Sequence, residues 1–141
     1  MTAYEGHCHC GQTTWEVTLD KEQQGHVICH CDTCKILGGG AFTLNQIIPK
    51  SALKFTKGGD ALKAYSYKGD SGNPVNCYYC PNCTTHVYHH QTIMGPDKIV
   101  LRTSLLPKGR KEFQPSAEIF GKDKFPWQKE VAQTFEVLPP E

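Results

Sequence analysis

The chain has 141 residues, a formal net charge of +1 and a hydrophobic fraction of 38%. A chain of this length is expected to form one domain. Its hydrophobic fraction is low, so its core would be small and bound metal would add to its folding stability. The small charge gives no electrostatic reason to expect nucleic acid or an anionic membrane as a partner, and no apolar run approaches the length that spans a bilayer. The first six residues lack a basic region followed by an apolar one, so we expect no secretory signal and a cytoplasmic location.

Short segments that are apolar, or that alternate apolar with polar residues, recur along the chain as strands do. In chain order they are 13–19, 26–28, 41–48, 53–56, 62–67, 75–79, 86–89, 99–102 and 116–120. The polar stretch 57–60 predicts a hairpin between the two strands that flank it. One helical turn is expected at 33–37 and another at 127–132, with no long amphipathic helix. We therefore predict a mainly β fold in a single domain over 1–141, with its core at about 4–130.

All eight cysteines fall into three clusters, and none lies elsewhere. The clusters are Cys8 and Cys10; Cys29, Cys31 and Cys34; and Cys77, Cys80 and Cys83. Cysteines two positions apart converge easily on one ion, whereas disulfide-rich domains spread their cysteines more evenly. Without a secretory signal, we expect reduced thiolates on a metal rather than disulfides. The pattern predicts a zinc protein.

The motif Cys80-Pro81-Asn82-Cys83 has the C-x-x-C spacing that supplies two corners of a tetrahedral zinc site. Cys8 and Cys10 are the natural donors for the other two corners. A closed site of four thiolates is structural, and its binding free energy adds to the free energy of folding. We therefore predict one structural zinc that joins the N-terminus to the middle of the chain.

The middle cluster offers three thiolates, from Cys29, Cys31 and Cys34. Three protein ligands with a fourth position open are typical of a catalytic zinc, and the open position can take the sulfur of an incoming thiol. Cys77 leaves two alternatives: it is a fourth ligand that closes this site, or a buried strand residue that binds nothing. If it is a ligand, both zinc ions are structural.

The histidines near these clusters have a structural and a functional interpretation. His9 and His30 stand between ligand cysteines, so their side chains are expected to point away from the ion. His86, His89 and His90 lie on or beside a predicted strand, where one of them would be available as an acid or base near neutral pH. An exposed position on the strand surface is the commoner arrangement for such residues.

Three motifs carry a resemblance: C-x-C-G near the N-terminus, C-H-C-x-x-C followed by Gly39 and Phe42, and C-x-x-C followed by Thr85-His86-Val87-Tyr88. Together they resemble the glutathione-dependent formaldehyde-activating enzymes (GFA), a family that includes centromere protein V. The resemblance extends from about Cys8 to Trp127. It implies a β-tent of stacked, twisted antiparallel sheets with zinc knuckles and two zinc ions. One ion would bind Cys8, Cys10, Cys80 and Cys83; the other would bind Cys29, Cys31 and Cys34, where a thiol such as glutathione would be held.

Several residues depart from the family pattern. Lys35 stands where the family usually has Arg, Thr84 where it commonly has Gly, and Glu118 where His is frequent. Cys77 is not part of the family's ligand set. The resemblance therefore implies the metal sites directly, and formaldehyde and glutathione as substrates only loosely.

We predict an enzyme with a small-molecule substrate that makes or breaks a carbon–sulfur bond, a lyase acting on a thiol–carbonyl adduct of the glutathione–aldehyde type. One alternative is a binding or scaffold protein in which both zinc ions are structural. Another is a tailoring enzyme that uses zinc as a Lewis acid on a larger carbonyl substrate without any thiol. The pattern names no specific substrate, pathway or oligomeric state.

Overall fold

In the computed structural model, which describes residues 1–140, ten strands form two sheets. The strands are β1 (Thr2–His7), β2 (Thr14–Leu19), β3 (His26–Cys29), β4 (Thr43–Pro49), β5 (Leu53–Lys57), β6 (Lys63–Lys68), β7 (Pro74–Tyr79), β8 (His86–Gln91), β9 (Lys98–Arg102) and β10 (Pro115–Ile119). The small sheet has the order β1-β2-β5, and the large sheet has the order β10-β3-β4-β9-β8-β7-β6.

The helices are short. They are α1 (Asp32–Gly38) and α2 (Pro107–Glu112), with 3₁₀ turns at Lys21–Gln23, Lys50–Ala52, Gly59–Ala61, Thr92–Met94, Thr103–Leu105 and Gly121–Asp123. Within residues 1–140, none of the helices has the length and apolar composition needed to cross a membrane.

The two sheets enclose one apolar core. In β2, Trp15, Val17 and Leu19 alternate with less buried residues, as a strand with one buried face requires. They meet apolar residues of the large sheet and of the α2 region; the core comprises Tyr4, Trp15, Val17, Leu19, Ile48, Val87, Tyr88, Ile99, Leu101, Leu106 and Phe113. Burying one such large side chain contributes about 1.5–3 kcal/mol, so this layer holds the sheets together.

The opposite face of the large sheet is polar. Because successive side chains of a strand alternate between faces, Arg102 points away from the core that Leu101 joins. Paired residues of antiparallel strands share a face, so Asn45, the partner of Arg102, lies on that side as well. By the same alternation, Tyr88 faces the core and His89 lies on the opposite, polar side. We define the polar face by its buried members Thr43, Asn45, Cys77, His89 and Arg102.

The mainly β architecture of two stacked sheets is confirmed, and each predicted strand segment overlaps one of β2 to β10. β1 and α2 were not predicted from the sequence, and α1 is longer than the predicted turn at 33–37. The helical turn predicted at 127–132 was wrong, because the chain is irregular there. The pairing of β10 with β3 is parallel, an exception to the otherwise antiparallel ladders.

The predicted hairpin over 53–67 was also wrong. β5 pairs with β2 in the small sheet, whereas β6 pairs with β7 at the edge of the large sheet. Gly58, with φ 71, and the 3₁₀ turn that follows it carry the chain from one sheet to the other. Alternation identifies a strand but not the strand with which it pairs. β5 pairs with β2, where Phe55 packs against Trp15.

Candidate metal centres

Four cysteines from two distant parts of the chain meet where β1 ends and β7 leads into β8. The sulfur atoms of Cys8, Cys10, Cys80 and Cys83 all lie within 4.8 Å of one another. The Sγ atoms of Cys8 and Cys10 are 3.7 Å apart, and those of Cys10 and Cys80 are 3.8 Å apart. Zn–S bonds of about 2.3 Å in a tetrahedron place sulfurs about 3.8 Å apart, so the donor set fits a structural zinc.

A tight turn presents Cys80 and Cys83 to this group. The Cys80 N–H donates to the Thr85 carbonyl at 3.0 Å, and the Thr84 N–H donates to the Cys80 carbonyl at 2.8 Å. Thr84 takes φ 68, a left-handed conformation that favours glycine. A glycine, which the resemblance leads us to expect at this position, would take that conformation without strain.

Hydrogen-bond donors surround the sulfurs of this group. The Thr13 N–H donates to Cys8 Sγ at 3.3 Å, and the Thr85 hydroxyl lies 3.2 Å from Cys83 Sγ. Burial raises the pKa of Cys83, but hydrogen bonds from Thr85 and from the Cys10 backbone outweigh it and bring that pKa to about 5. Such donors stabilise thiolates, which are the form that binds metal.

A second group of three sulfurs is built on a strand end and a helix start. Cys29 ends β3, Cys31 is the N-cap of α1, and Cys34 lies in its first turn. Their sulfur atoms lie within 4.8 Å of one another, and those of Cys29 and Cys34 are 3.4 Å apart. The Cys34 N–H donates to Cys31 Sγ at 3.3 Å. Three soft thiolates are a donor set that suits zinc with a further position for another ligand.

The glycine run after this cluster has two distinct uses. Gly39 caps α1 with φ 66, and a Cβ at Gly38 would lie 2.9 Å from the Thr43 Cγ2 atom. Gly39 therefore supplies a left-handed turn, and Gly38 allows the close approach of α1 to β4.

Cys77 lies outside the three-sulfur group, which comprises Cys29, Cys31 and Cys34 alone. It is buried in β7, and its pairing with His89 puts it on the polar face. Burial raises the pKa of the Cys77 thiol, while the Arg102 charge lowers it. Cys77 is therefore a protonated thiol near the second group rather than one of its close-packed sulfurs.

Arg102 brings a positive charge to the polar face. Its side chain is 6% exposed, and it donates to the Asn45 Oδ1 atom. Asn45 is held in turn by a 2.9 Å hydrogen bond from its amide to the Thr43 hydroxyl. Among the ion pairs of residues 1–140, none involves Arg102. Its charge is therefore available to offset the thiolates. Hydrogen bonds with Cys29 and then Cys31 are the main causes of the lowered pKa of Cys34, and the Arg102 charge adds to that lowering.

Two of the three candidate histidines lie near Arg102. Burial, then the Arg102 charge, lowers the pKa of His86 to about 3 and that of His89 to about 4, so both are neutral at physiological pH. Their rings meet edge to face, with centroids 5.8 Å apart. The His86 Nε2 atom is buried without a hydrogen-bond partner among the described residues. His90 instead bonds the Gly95 carbonyl at 2.7 Å.

Three further residues of the polar face were not among the predicted site residues: Arg102, Asn45 and Tyr67. Tyr67 pairs with Val75, two positions from Cys77, so strand alternation puts its side chain on the polar face. Burial, and then the charges of Cys77, Cys34 and Cys31, raise the pKa of Tyr67 to about 12. A charged residue at the end of the apolar run 99–102 was the available signal for Arg102. No local signal marks Asn45 or Tyr67, because only strand pairing brings them to this face.

Comparison with known proteins identifies relatives. The family model described as glutathione-dependent formaldehyde-activating enzyme matches residues 3–123. A protein of Emericella nidulans whose name assigns it to that activity is 28% identical over 92 residues, which cover 65% of this chain and 45% of the relative. A Podospora anserina protein with the same name is 28% identical over 81 residues, covering 57% of this chain and 36% of the relative. The chain thus spans less than half the length of these relatives.

A crystal structure of a Rhodobacter sphaeroides protein has a similar fold. The two structures superpose with a TM-score of 0.58 at 22% sequence identity, and the match covers 79% of this chain and 99% of the other. At this identity the likeness concerns the fold alone.

Proposed function

Because the chain belongs to the glutathione-dependent formaldehyde-activating enzyme family, we propose that it makes or breaks the carbon–sulfur bond of an adduct between a small thiol and a carbonyl compound. In the forward direction, a bond forms between the thiol sulfur and the carbonyl carbon, and the thiol proton ends on the carbonyl oxygen. The reverse direction releases the aldehyde and the thiol. Glutathione, or another thiol of its kind, is the proposed substrate.

We assign a structural zinc to Cys8, Cys10, Cys80 and Cys83. Support comes from their sulfur spacing, which fits a closed tetrahedral set. The ion would join the N-terminal strand to the β7–β8 connection, so its binding free energy would add to folding stability.

We assign a second zinc to Cys29, Cys31 and Cys34. When bound, this ion would supply a Lewis-acid position for the substrate sulfur. The three sulfurs form a group without Cys77, which supports an accessible position in place of a fourth cysteine. That observation favours an enzyme over a scaffold in which both zinc ions are structural.

Arg102 offsets negative charge in this proposal. Three thiolates carry three negative charges, more than one divalent ion neutralises, and Arg102 is a buried cation on the same face of the sheet. Its hydrogen bond to Asn45 fixes the guanidinium in place. A fixed charge in a buried setting acts more strongly than it would in water.

Tyr67 and His86 would contact the carbonyl end of the substrate. Tyr67 stays protonated because its pKa is raised to about 12, so its hydroxyl can donate to the carbonyl oxygen as the carbon–sulfur bond forms. His86 has a buried Nε2 atom without a partner and a pKa of about 3, which makes it a neutral hydrogen-bond partner rather than a proton store.

The proposed unit is one GFA-like domain with its core at about 4–130, supported by the family match over residues 3–123. The proposed location is the cytoplasm, where thiols remain reduced.

Exchange NMR with ¹³C-formaldehyde and glutathione tests the reaction. Zinc-loaded protein should accelerate the interconversion of free formaldehyde and its thiol adduct over buffer with the same zinc, and Cys31→Ala should abolish the acceleration. Glu130→Gln, at an exposed position, is the matched control and should exchange like wild type.

Equal exchange rates for wild type, Cys31→Ala and buffer, with glutathione and with 2-mercaptoethanol, would contradict the proposal and support the scaffold. Zinc-dependent conversion of a carbonyl compound without any thiol would instead support the tailoring alternative.

A further inference from the structure

Glu118 is a buried carboxylate with four donors. Its Oε1 atom accepts from His30 Nε2 at 2.7 Å and from Lys124 Nζ at 2.9 Å. Its Oε2 atom accepts from the N–H groups of Val131 at 2.7 Å and Ala132 at 3.1 Å. Burial raises the pKa of Glu118, but these donors outweigh it and bring that pKa to about 2. The carboxylate is therefore ionised and fully bonded, as a buried charge must be.

His30 connects this carboxylate to the second cysteine group. It stands between Cys29 and Cys31, and both His30 and Glu118 have 0% side-chain exposure. The His30 N–H also donates to the Ile119 carbonyl at 3.1 Å, so adjacent residues of β10 hold His30 by its ring and by its backbone. The edge of the ring packs on Phe42, with centroids 5.7 Å apart. The short loop that carries two of the three sulfurs is thus fixed from β10.

Glu118 also holds a segment that follows β10. Its N–H donates to the Gln133 carbonyl at 2.9 Å, and its carbonyl accepts from the Phe135 N–H at 2.8 Å. The Val131 and Ala132 N–H groups bond the Glu118 side chain, and these two backbone bonds add to them, so residues 131–135 are attached to Glu118. All of these partners lie beyond residue 123, where the family match ends. We call residues 124–135 the C-terminal segment.

The same part of the chain reaches α1 at a second point. The Lys35 Nζ atom donates to Asp32 Oδ1 at 2.9 Å and to the Asp123 carbonyl, and it lies 4.4 Å from the centroid of the Phe125 ring. Lys35 directly follows Cys34. The second cysteine group is therefore connected to β10 and the chain after it at two points, through His30 and through Lys35.

We propose that Glu118 is a positioning residue for the second metal centre, holding Cys29 and Cys31 through His30 and coupling them to the C-terminal segment. Partners of this kind, outside the ligands themselves, orient a metal site and set its affinity. The inference rests on the proposed second zinc.

Cobalt titration tests the inference, with Co²⁺ as the probe and its thiolate absorption as the readout. Cys31→Ala gives the spectrum of the first site alone, so the two sites can be followed separately. Glu118→Gln should weaken Co²⁺ binding at the second site by about tenfold or more and leave the first site within about twofold of wild type. Glu130→Gln, an exposed glutamate of the same segment, should change neither site.

A second variant separates positioning from stability. His30→Phe removes the ring donor and should show the same selective loss, whereas His30→Gln retains an amide donor and should recover part of it. In the double variant Glu118→Gln/His30→Phe, the losses should not add, because both changes break one contact. If Glu118→Gln does not fold, the His30 variants decide the question alone.

Equal weakening of both sites, or a second site in His30→Phe within twofold of wild type, would overturn the positioning role. A wild-type chain that binds one Co²⁺ ion would overturn the second centre itself, and with it the proposed function. These two failures are distinguishable, since the first leaves two ions on the wild type.

Discussion

Arg102 and the two histidines beside it are a case in which position decides chemistry. Arg102 is buried with an amide rather than a carboxylate as its bonded side-chain partner. Its charge, after burial, is the next cause that keeps the pKa values of His86 and His89 low. Arg102 therefore has two neighbouring rings that are neutral at physiological pH, and in the proposed function its charge offsets that of the thiolates.

Replacing Arg102 should be visible in its neighbours. Arg102→Gln removes the positive charge, so the pKa of His89 should rise above its value of about 4. Histidine ring resonances followed by NMR across a pH titration measure this. Arg110→Gln, an exposed arginine of α2, is the matched control and should leave His89 unchanged. An unmoved His89 pKa in Arg102→Gln would show that burial alone sets it.

The same histidines predict a stability loss in acid. Their pKa values are lowered from 6.5 in the folded state, so below pH 6.5 the unfolded chain binds protons that the folded chain does not. The stability they contribute is complete above pH 6.5 and is lost as pH falls towards about 4 for His89 and about 3 for His86. For His89 the loss reaches on the order of 3 kcal/mol.

Urea unfolding at pH 7.5 and pH 5.5 checks this difference in the free energy of unfolding. His89→Asn should show a smaller loss between the two pH values than wild type does. An identical loss in both proteins would mean that His89 does not carry the effect.

At the scale of the element, the start of α1 brings Cys31 and Cys34 close to Cys29 at the end of β3. Cys31 caps the helix and receives the Cys34 N–H, while Gly39 ends the helix in a left-handed conformation. Both ends of this two-turn helix are therefore specified by residues with a clear conformational reason.

Gly39→Ala should destabilise the protein by about 1 kcal/mol, because an alanine at φ 66 is strained even where there is space. Gly40→Ala is the control, since Gly40 has no positive φ and its nearest neighbour, the Phe42 carbonyl, would be 4.0 Å from a Cβ. Urea unfolding of the two variants measures the difference. Equal stability in both would contradict the left-handed cap as the cause.

Elements with local signals could be predicted from the sequence, and pairings could not. The spacing of Cys80 and Cys83 and the alternation in β2 are local, and each predicted its structure. The partner of β5, the parallel pairing of β10 and the meeting of Arg102 with Asn45 depend on strand order. Alternation carries no information about which strands pair. For that reason the predicted hairpin over 53–67 was wrong, and Tyr67 was not predicted as a site residue.

For the whole molecule, the four-cysteine group is a long-range link between the N-terminus and the middle of the chain. Cys10 and Cys80 are 70 positions apart, and their sulfurs lie 3.8 Å from each other. A chain with one thin apolar layer between two sheets gains much of its stability from such a link if zinc occupies it.

Cys80→Ala should therefore unfold the protein or remove several kcal/mol of stability, since structural zinc sites bind with apparent free energies of about 10–16 kcal/mol in peptides. Cys31→Ala should keep the fold, because its group is held by β3, β10 and α1 in addition to any ion. Thermal melting of both variants compares them. A Cys80→Ala protein that melts near wild type would contradict the structural assignment.

The proposed second metal centre has three cysteine ligands, Cys29, Cys31 and Cys34, and one position accessible to substrate. Native mass spectrometry of wild type, Cys31→Ala and Cys77→Ala tests it by counting zinc ions per chain. We predict two ions in wild type, two in Cys77→Ala and one in Cys31→Ala. Loss of an ion in Cys77→Ala would make that thiol a fourth ligand, close the site and contradict the proposed chemistry.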